Sequence, residues 1–562
     1  MGVSNFDLEA AIASLAEREP ARWQRDACGI TRMETPIPAL VDREAHSPEC
    51  SRHRILLIGG FSGEQLDVDL ALSAATLLGA SPDIALSLIP CANPDGLRLG
   101  VGPDNGSGGN PSLGYPPDGG FYDDERDPES RYLWRWVGFL APDLVIEVRH
   151  GAAEGWESTE STTGIGLALS AGVLGPSDSM LAALATGAPS GLAPIPGLRL
   201  TATDDSLEGP IAAFVAELAK RPLPSPSPAR KELDARRSRS PLDVAELMAS
   251  QYGYSLDPVV YTQGVAISGR LRVAELTGSV ENTSADVVAA MEPLLQAQDG
   301  IVADGAGGSA LAGLVWCDEL SRATGDARYS DALIATADRF RDVSGDLPPA
   351  PCDPDYRTED MFFAAAILGR AFALTNDMAY IDILTKFLLD AKVQQSNGLF
   401  WHARSVPYFW GRGNTFAALG FTEALTYVPE DHPDRAELLA IHVRHLDALA
   451  ACQRPSGMLM EVLDAPGSYQ EHTATGMFGY AVARGLRLGW LDDRHRPLLD
   501  LAWRGVSERI SLDGGLVDGC TSTGPQPDLR AYLDRKAEFG RDDRTGALAL
   551  WFAVEMERLL RA

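Results

Sequence analysis

The pattern of apolar and polar residues divides the chain into two halves. Before about residue 220, short apolar runs such as HRILLIGGF (53–61) and DLVIEV (143–148) alternate with helical patterns such as DLALSAATLLG (69–79). This alternation predicts an α/β domain whose sheet is mainly parallel. After about residue 245 the strand signals fade, and amphipathic helical patterns follow one another to the C-terminus.

Four similar turns separate the helical segments of the second half. They read TGDARYSDAL (324–333), TNDMAYIDIL (375–384), PEDHPDRAEL (429–438) and WLDDRHRPLL (490–499). Helix pairs that recur at a period of about 50 to 60 residues predict a stacked array or a closed ring of helical hairpins.

The two halves are joined by KRPLPSPSPARKELDARRSRSP, which runs from Lys220 to Pro241. This stretch is rich in Pro, Ser and charge and lacks apolar periodicity, so it predicts a linker. We therefore expect an α/β domain over residues 1–222, a linker over 223–245 and a helical domain over 246–562.

Composition narrows the class of partner. The chain has 562 residues, of which 45% are hydrophobic and 22% charged, as is typical of a soluble protein with two or three domains. A net charge of −30 argues against nucleic acid and anionic membranes as partners. The seven cysteines form no C-x-x-C pair, and the N-terminus lacks the pattern of a signal peptide, so we expect a cytoplasmic protein.

The stretch SVPYFWGRGNTFAAL (405–419) places Arg412 between two glycines and among aromatic residues, Trp410 and Phe416 included. Two interpretations are open. The stretch is either a helix start packed into a core, or a cup in which ring faces contact a sugar and the arginine binds a carboxylate.

The second half resembles glycoside hydrolase family 88/105, the unsaturated glucuronyl and rhamnogalacturonyl hydrolases. The resemblance rests on TEDMFFAAAILGRAFALTND, NGLFWHA, FWGRGN, SYQEHTATGMFGYAVARGLRLGWLD and DDRTGALAL, and it covers the chain from about Asp286 onwards. It implies an all-α (α/α)6 toroid with its site at the inner helix ends, no metal and no cofactor. The implied substrate is an anionic oligosaccharide whose terminal uronate carries a C4=C5 double bond left by a lyase.

The implied reaction needs a carboxylic acid that protonates C4 before water adds at C5. Its pKa should lie near the working pH, and burial or a second carboxylate raises it. RTEDMFFA (357–364) aligns with the family pattern W-x-D-D-[LM]-[FY]-M-A, in which the first Asp is the acid/base. Glu359 stands there and Asp360 follows, so either Glu359, favoured by register, or Asp360 is the acid, or the activity is weakened. Consecutive helical residues point about 100° apart, so we expect one of the two to face the cup.

The resemblance also implies which residues pair with the acid and which contact the substrate. Asp304 approximately fits the place of an Asp that pairs with the acid, although a turn or cap Asp is the alternative. The expected substrate contacts are His402 with Trp401 beside it, the Arg412 guanidinium for the uronate, the rings of Trp410 and Phe416, and Asn414 for a hydroxyl.

The first half is similar to zinc carboxypeptidase-like domains in LLIGGFSGEQLD (56–67), NPDG (93–96) and PDLVIEVRHG (142–151). The zinc-ligand positions of that family hold Ser62, Gln65 and Arg149 here, and a shift by one residue recovers only Glu64 and His150. Three protein ligands are needed, so we expect the fold without the peptidase chemistry.

The leading hypothesis is a hydrolase for unsaturated uronyl oligosaccharides. The alternatives are a degenerate carbohydrate-binding or scaffold protein, and another toroid enzyme such as an epimerase. Three roles stay open for the first domain: capping the toroid, forming a homodimer, or supplying the loop 100–127 to its mouth.

Overall fold

A computed structural model describes residues 7–117, 122–159, 163–175, 177–296, 301–342 and 347–562. The elements of the N-terminal domain are α1 (Leu8–Arg18), β1 (Trp23–Ile30), β2 (Pro36–Asp42), β3 (His53–Ile58), α2 (Gln65–Gly79), β4 (Ile84–Ile89), α3 (Pro94–Leu99), α4 (Pro128–Leu140), β5 (Leu144–His150), β6 (Gly155–Ser158), α5 (Thr163–Ala168), β7 (Gly172–Val173), α6 (Met180–Leu184), β8 (Gly197–Ala202) and α7 (Glu208–Lys220).

These strands form one eight-stranded mixed sheet in the order β1-β2-β4-β3-β5-β8-β6-β7. The four central strands β4, β3, β5 and β8 are parallel, whereas β1 and β2 on one side and the β8–β6 pair on the other are antiparallel. The central strands are almost entirely buried, which explains why they read as continuous apolar runs. The predicted parallel sheet is therefore present at the centre, and the antiparallel edges were not foreseen.

The rest of the chain contains α8 (Pro228–Arg237), α9 (Pro241–Ala249), α10 (Tyr261–Thr277), α11 (Val280–Leu295), α12 (Gly308–Leu311), α13 (Cys317–Thr324), α14 (Ala327–Asp338), α15 (Thr358–Thr375), α16 (Ala379–Asp390), α17 (Gly411–Tyr427), α18 (Arg435–Ala451), β9 (Leu459–Met460), β10 (Gln470–Glu471), α19 (His472–Arg487), α20 (Arg496–Glu508), β11 (Leu516–Cys520), α21 (Leu529–Leu533), β12 (Ala537–Gly540) and α22 (Asp543–Arg561). Among the described residues, no helix has the length and apolarity needed to cross a membrane.

The helices form the predicted (α/α)6 toroid. The inner ring consists of α10, the α12–α13 segment, α15, α17, α19 and α22, and it closes where α22 packs against α10. The outer helices α11, α14, α16, α18, α20 and α9 pack around this ring, most of them against two neighbouring inner helices. Inner helices such as α15 and α17 are buried on nearly all sides, as expected for helices at the centre of the ring.

The expected linker is folded. Helix α8 lies within residues 223–245 and buries Ala229 and Leu233 in a cluster with the N-terminal core. The Asp143 carboxylate accepts a hydrogen bond from the Ser227 backbone N–H at 2.8 Å, and Arg236 donates to the Glu508 carbonyl at 3.3 Å. The prediction of a linker is therefore corrected. This stretch contains an arginine-rich helix with few apolar residues, and contacts to both domains hold the helix in place.

The two domains share a buried interface. The Tyr122 ring stacks between those of Tyr132 and Tyr469, with centroids 4.4 and 4.9 Å away, and its hydroxyl donates to Asp518 at 3.0 Å. Arg454 of the toroid pairs with the buried Asp26 of β1. Rings and buried ion pairs therefore fix the N-terminal domain against the toroid.

Candidate active site

A cavity of about 260 Å³ opens at the N-terminal ends of α10, α12 and α15. Its lining consists of Val260, residues 307–310, Pro351, Arg357, Glu359, Asp360, Phe363 and Thr523. Both acidic residues that the sequence singled out therefore face the cavity. The expectation that only one would do so is corrected: the cavity lies over the end of α15, and first-turn side chains reach it from more than one direction.

The Glu359 carboxylate is buried and fully engaged. His402 Nε2 lies 3.1 and 3.0 Å from its two oxygens, and the Gly524 backbone N–H donates to Oε1 at 2.9 Å. Burial alone raises the pKa of Glu359, but His402 and the backbone N–H groups outweigh burial and lower the pKa to about 2. Glu359 is therefore a carboxylate at ordinary pH, which does not suit a proton donor.

The Asp360 carboxylate has the opposite electrostatics. Its Oδ2 accepts the Asp353 backbone N–H at 2.8 Å, while Oδ1 lies beside Gly308, where a Cβ would stand 3.0 Å from it. Burial and the charge of Glu359 raise the pKa of Asp360 to about 7, against a smaller lowering by the Asp353 N–H and Arg357. Asp360 is therefore half protonated near neutral pH.

Arg357 provides the guanidinium of the cavity. It precedes the first residue of α15, and its side chain is 36% exposed. Its Nε lies 3.1 Å from Asp353 Oδ2 and 4.0 Å from Asp360 Oδ2. The family pattern W-x-D-D-[LM]-[FY]-M-A has Trp at this position.

Arg412 lies elsewhere than expected. Its side chain is fully buried, its Nη1 and Nη2 donate to the backbone carbonyls of Cys520 and Thr521, and its guanidinium stacks over Trp410 at 4.8 Å. A Cβ on Gly411 would stand 2.1 Å from the Met460 carbonyl oxygen, so this glycine serves close packing. The core interpretation of the stretch 405–419 therefore describes this structure, and the carboxylate-binding role of Arg412 is corrected.

The other residues that we expected to contact the substrate also pack in the protein core. Trp410 is fully buried and donates from Nε1 to Glu461 at 2.9 Å, and Phe416 packs among the rings of the inner helices. The Asn414 side chain forms its hydrogen bonds with the backbone: Oδ1 accepts from the Phe400 N–H, and Nδ2 donates to the Phe400 and Trp410 carbonyls. Trp401 is half-buried against the core. These four residues are not among those that line the cavity in the described part of the chain.

Asp304 lies on an exposed turn before α12 and is not among the described residues that line the cavity. The turn or cap alternative fits this placement. The second carboxylate of the site is instead the sequence neighbour of the first, because α12 brings Gly307 and Gly308, and not an acidic side chain, to the cavity.

A sequence model described as Glycosyl Hydrolase Family 88 matches residues 243–560. The chain belongs to this family. The match begins inside the expected linker and covers nearly all of the toroid and its cavity, while the N-terminal domain lies outside it. Of the family 88 features expected from the sequence, the two consecutive carboxylates and His402 come together in the structure.

Two comparisons place this family 88 protein among its relatives. It is 27% identical, over 30% of its length and 44% of the relative, to an unsaturated 3S-rhamnoglycuronyl hydrolase of Alteromonas sp. (strain LOR). It is 38% identical, over 15% of its length and 37% of the relative, to Protein Atu3128 of Agrobacterium fabrum. The chain thus spans less than half the length of the curated relatives it matches.

The fold of the toroid is that of a solved structure of a C. acetobutylicum glycoside hydrolase from family 105. The two chains are 18% identical, the match covers 56% of this chain and 99% of the other, and the TM-score is 0.50. At this identity the likeness supports the fold alone.

Sequence reasoning missed the residues that segment 521–536 brings to this family 88 site. Gly524 binds Glu359, Thr523 lines the cavity, and the Tyr532 hydroxyl lies 2.5 Å from His402 Nδ1. The segment has no periodic pattern, and its contacts join residues more than 100 positions apart. Arg357 was visible as a departure from the family tryptophan.

The N-terminal positions compared with zinc ligands also have other partners. Arg149 pairs with the buried Glu147, and Asp67 accepts the His150 backbone N–H at 2.6 Å. Within the described residues, no group of three His, Cys, Asp or Glu side chains is placed to hold a metal ion.

Proposed function

We propose that this family 88 protein removes an unsaturated uronic acid from the non-reducing end of lyase-generated oligosaccharides, with Asp360 as the proton donor. The observation that carries the assignment is the pair of buried carboxylates at one cavity, whose surroundings drive their pKa values apart, Glu359 to about 2 and Asp360 to about 7. A carboxyl group that is partly protonated near neutral pH, beside one that stays ionised, is suited to donate a proton.

In the proposed reaction, the Asp360 proton bonds to C4 through the electrons of the double bond. The positive charge at C5 is shared with the ring oxygen. Water then attacks C5 and gives a proton to the Asp360 carboxylate, and the resulting hemiketal opens and releases the next sugar. One carboxyl group thus serves as acid and then as base.

Glu359 has an electrostatic role in this proposal. The negative charge of Glu359 raises the pKa of Asp360 and stabilises the positive charge that develops on the sugar. The N-terminus of α15 and the Gly524 N–H keep this charge in place. The earlier preference for Glu359 as the acid gives way to Asp360, because a carboxyl group that is ionised at neutral pH has no proton to donate.

The uronate carboxylate is assigned to Arg357. Its guanidinium is the positive group that lines the described cavity, and its planar fork suits a carboxylate. The charge is shared with Asp353, so we expect the substrate to compete with that side chain for the guanidinium.

The N-terminal domain is proposed to be a carboxypeptidase-like fold without peptidase activity. The support is the sequence resemblance, the parallel pair β3 and β5 that carries its motifs, and Arg149 at a ligand position. A cytoplasmic location and a homodimer stay predictions.

The test is incubation of the full chain with oligosaccharides from lyase digests of acidic polysaccharides. The conjugated double bond absorbs ultraviolet light, and hydration removes that absorbance. We expect the absorbance to fall and mass spectrometry to show release of one uronate residue, while saturated oligosaccharides of the same length stay intact. Constant absorbance with every digest between about pH 5 and pH 8, where Asp360 titrates, would contradict the proposal.

A further inference from the structure

A segment between β11 and β12 lines part of the cavity through Thr523; we refer to residues 521–536 as the strap. Its two ends meet through the Thr521 N–H, which donates to the Lys536 carbonyl at 2.9 Å. Its middle supplies the Gly524 N–H to Glu359 and the Tyr532 hydroxyl to His402. The strap therefore touches both members of the Glu359–His402 pair.

The N-terminal domain holds this strap. Arg32, which follows β1, donates from Nη1 to both oxygens of Asp534 at 2.9 and 3.0 Å. Arg530 on α21 donates in return to the Thr31 and Arg32 carbonyls, both at 3.3 Å. These contacts cross from the eight-stranded sheet to the strap.

The Tyr532 hydroxyl is placed to control the orientation of His402. It accepts the Gln526 backbone N–H at 3.2 Å, so its own hydrogen is free to bond Nδ1 of a neutral imidazole. The neutral ring then carries its hydrogen on Nε2 and donates to Glu359. If His402 is protonated, the hydroxyl accepts from Nδ1 and the same Nε2 bond persists.

We propose that the N-terminal domain completes the active site by clamping the strap, and that Tyr532 on the strap is a positioning residue that aims His402 at Glu359. The catalytic part of this inference rests on the proposed function, whereas the clamp and the histidine contact do not. It gives the N-terminal domain a task at the site without any zinc chemistry. Burial of Tyr532, which raises its pKa above its ordinary value, keeps the hydroxyl protonated at working pH.

The histidine contact is tested by nitrogen-15 NMR of full-length protein labelled at histidine, with the His402 signals assigned by their loss in His402→Gln. In Tyr532→Phe we expect the His402 Nδ1 signal to move, and kcat to fall about tenfold with KM changed less than about twofold. Tyr408→Phe is the matched control, because the Tyr408 ring packs against Tyr532 at 5.2 Å but the two ring nitrogens of His402 contact Tyr532 and Glu359 instead, and the His402 N–H bond to the Tyr408 carbonyl is kept in the variant. Unchanged His402 signals in Tyr532→Phe would overturn the positioning role.

The clamp is tested by hydrogen exchange. Arg32→Ala should speed exchange of peptides covering 521–536 and lower kcat, whereas Arg25→Ala, which removes an exposed ion pair between β1 and Glu9 of α1, should do neither. If exchange and kcat both match the wild type in Arg32→Ala, the clamp is refuted. If the wild type leaves every unsaturated substrate intact while exchange and NMR change as expected, the proposed function fails and the clamp stands.

Discussion

The charge of Glu359 should extend to higher pH the range in which Asp360 is protonated. Glu359→Gln removes this charge but keeps a side chain of the same length. Burial, the largest cause of the raised Asp360 pKa, is unchanged. We take the loss of the neighbouring charge as about one pKa unit, or about 1.4 kcal/mol, so the pKa of Asp360 should be lower by about that amount in the variant.

This shift has a definite effect on rate. At pH 7 the protonated fraction of Asp360 falls from about one half to about one tenth, so kcat/KM should fall about fivefold in Glu359→Gln. At pH 5 both proteins are almost fully protonated, and their rates should differ little from this cause.

The assay is the loss of ultraviolet absorbance by an unsaturated oligosaccharide, followed from about pH 5 to pH 9 at substrate concentrations far below KM. We expect the basic limb of the profile to move to lower pH in Glu359→Gln. A variant that is inactive at every pH, with Asp360→Asn nearly as active as the wild type, would refute this reasoning and return the acid role to Glu359.

Three further predictions concern binding, stability and the connection between domains. Arg357→Ala should raise KM about tenfold or more with a smaller change in kcat, measured by steady-state kinetics, and Arg357→Lys should restore part of the affinity; an unchanged KM would remove Arg357 from carboxylate binding. Glu461 is buried with a pKa raised to about 8 by burial and Glu471, so its contribution to stability is present at low pH and is lost as pH rises through 8; Glu461→Gln should therefore gain about 2.7 kcal/mol of unfolding free energy relative to wild type between pH 6 and pH 9, and an equal difference at both pH values would count against this. Leu233→Ala should lower the unfolding free energy by about 2–4 kcal/mol in denaturant titrations, because Leu233 is fully buried, whereas a flexible linker would show almost no effect.

The sequence predicted those parts of the molecule that follow from local periodicity. The toroid could be foreseen because amphipathic helical patterns follow one another through the second half, and because turns such as 324–333 recur between helices. The linker was mistaken because Arg230 and Arg236 read as solvent-exposed charge, while in the structure both are buried with their guanidinium groups on backbone carbonyls. No periodic pattern contains that information.

The site was predictable in part for a similar reason. Glu359, Asp360 and His402 follow from motifs and do come together. The burial of Arg412 depends on the carbonyls of Cys520 and Thr521, which are more than 100 residues away. The difference in pKa between the two carboxylates arises from three-dimensional neighbours, so register alone could not identify the acid.

The central claim is that a protonated Asp360 donates the proton to the double bond. The most direct measurement is kcat/KM of Asp360→Asn for the unsaturated substrate, compared with Asp304→Asn, which changes an exposed aspartate before α12. We predict a loss of about 10²- to 10⁴-fold for Asp360→Asn and less than about twofold for Asp304→Asn. An Asp360→Asn enzyme that retains more than about a tenth of wild-type kcat/KM would contradict the claim.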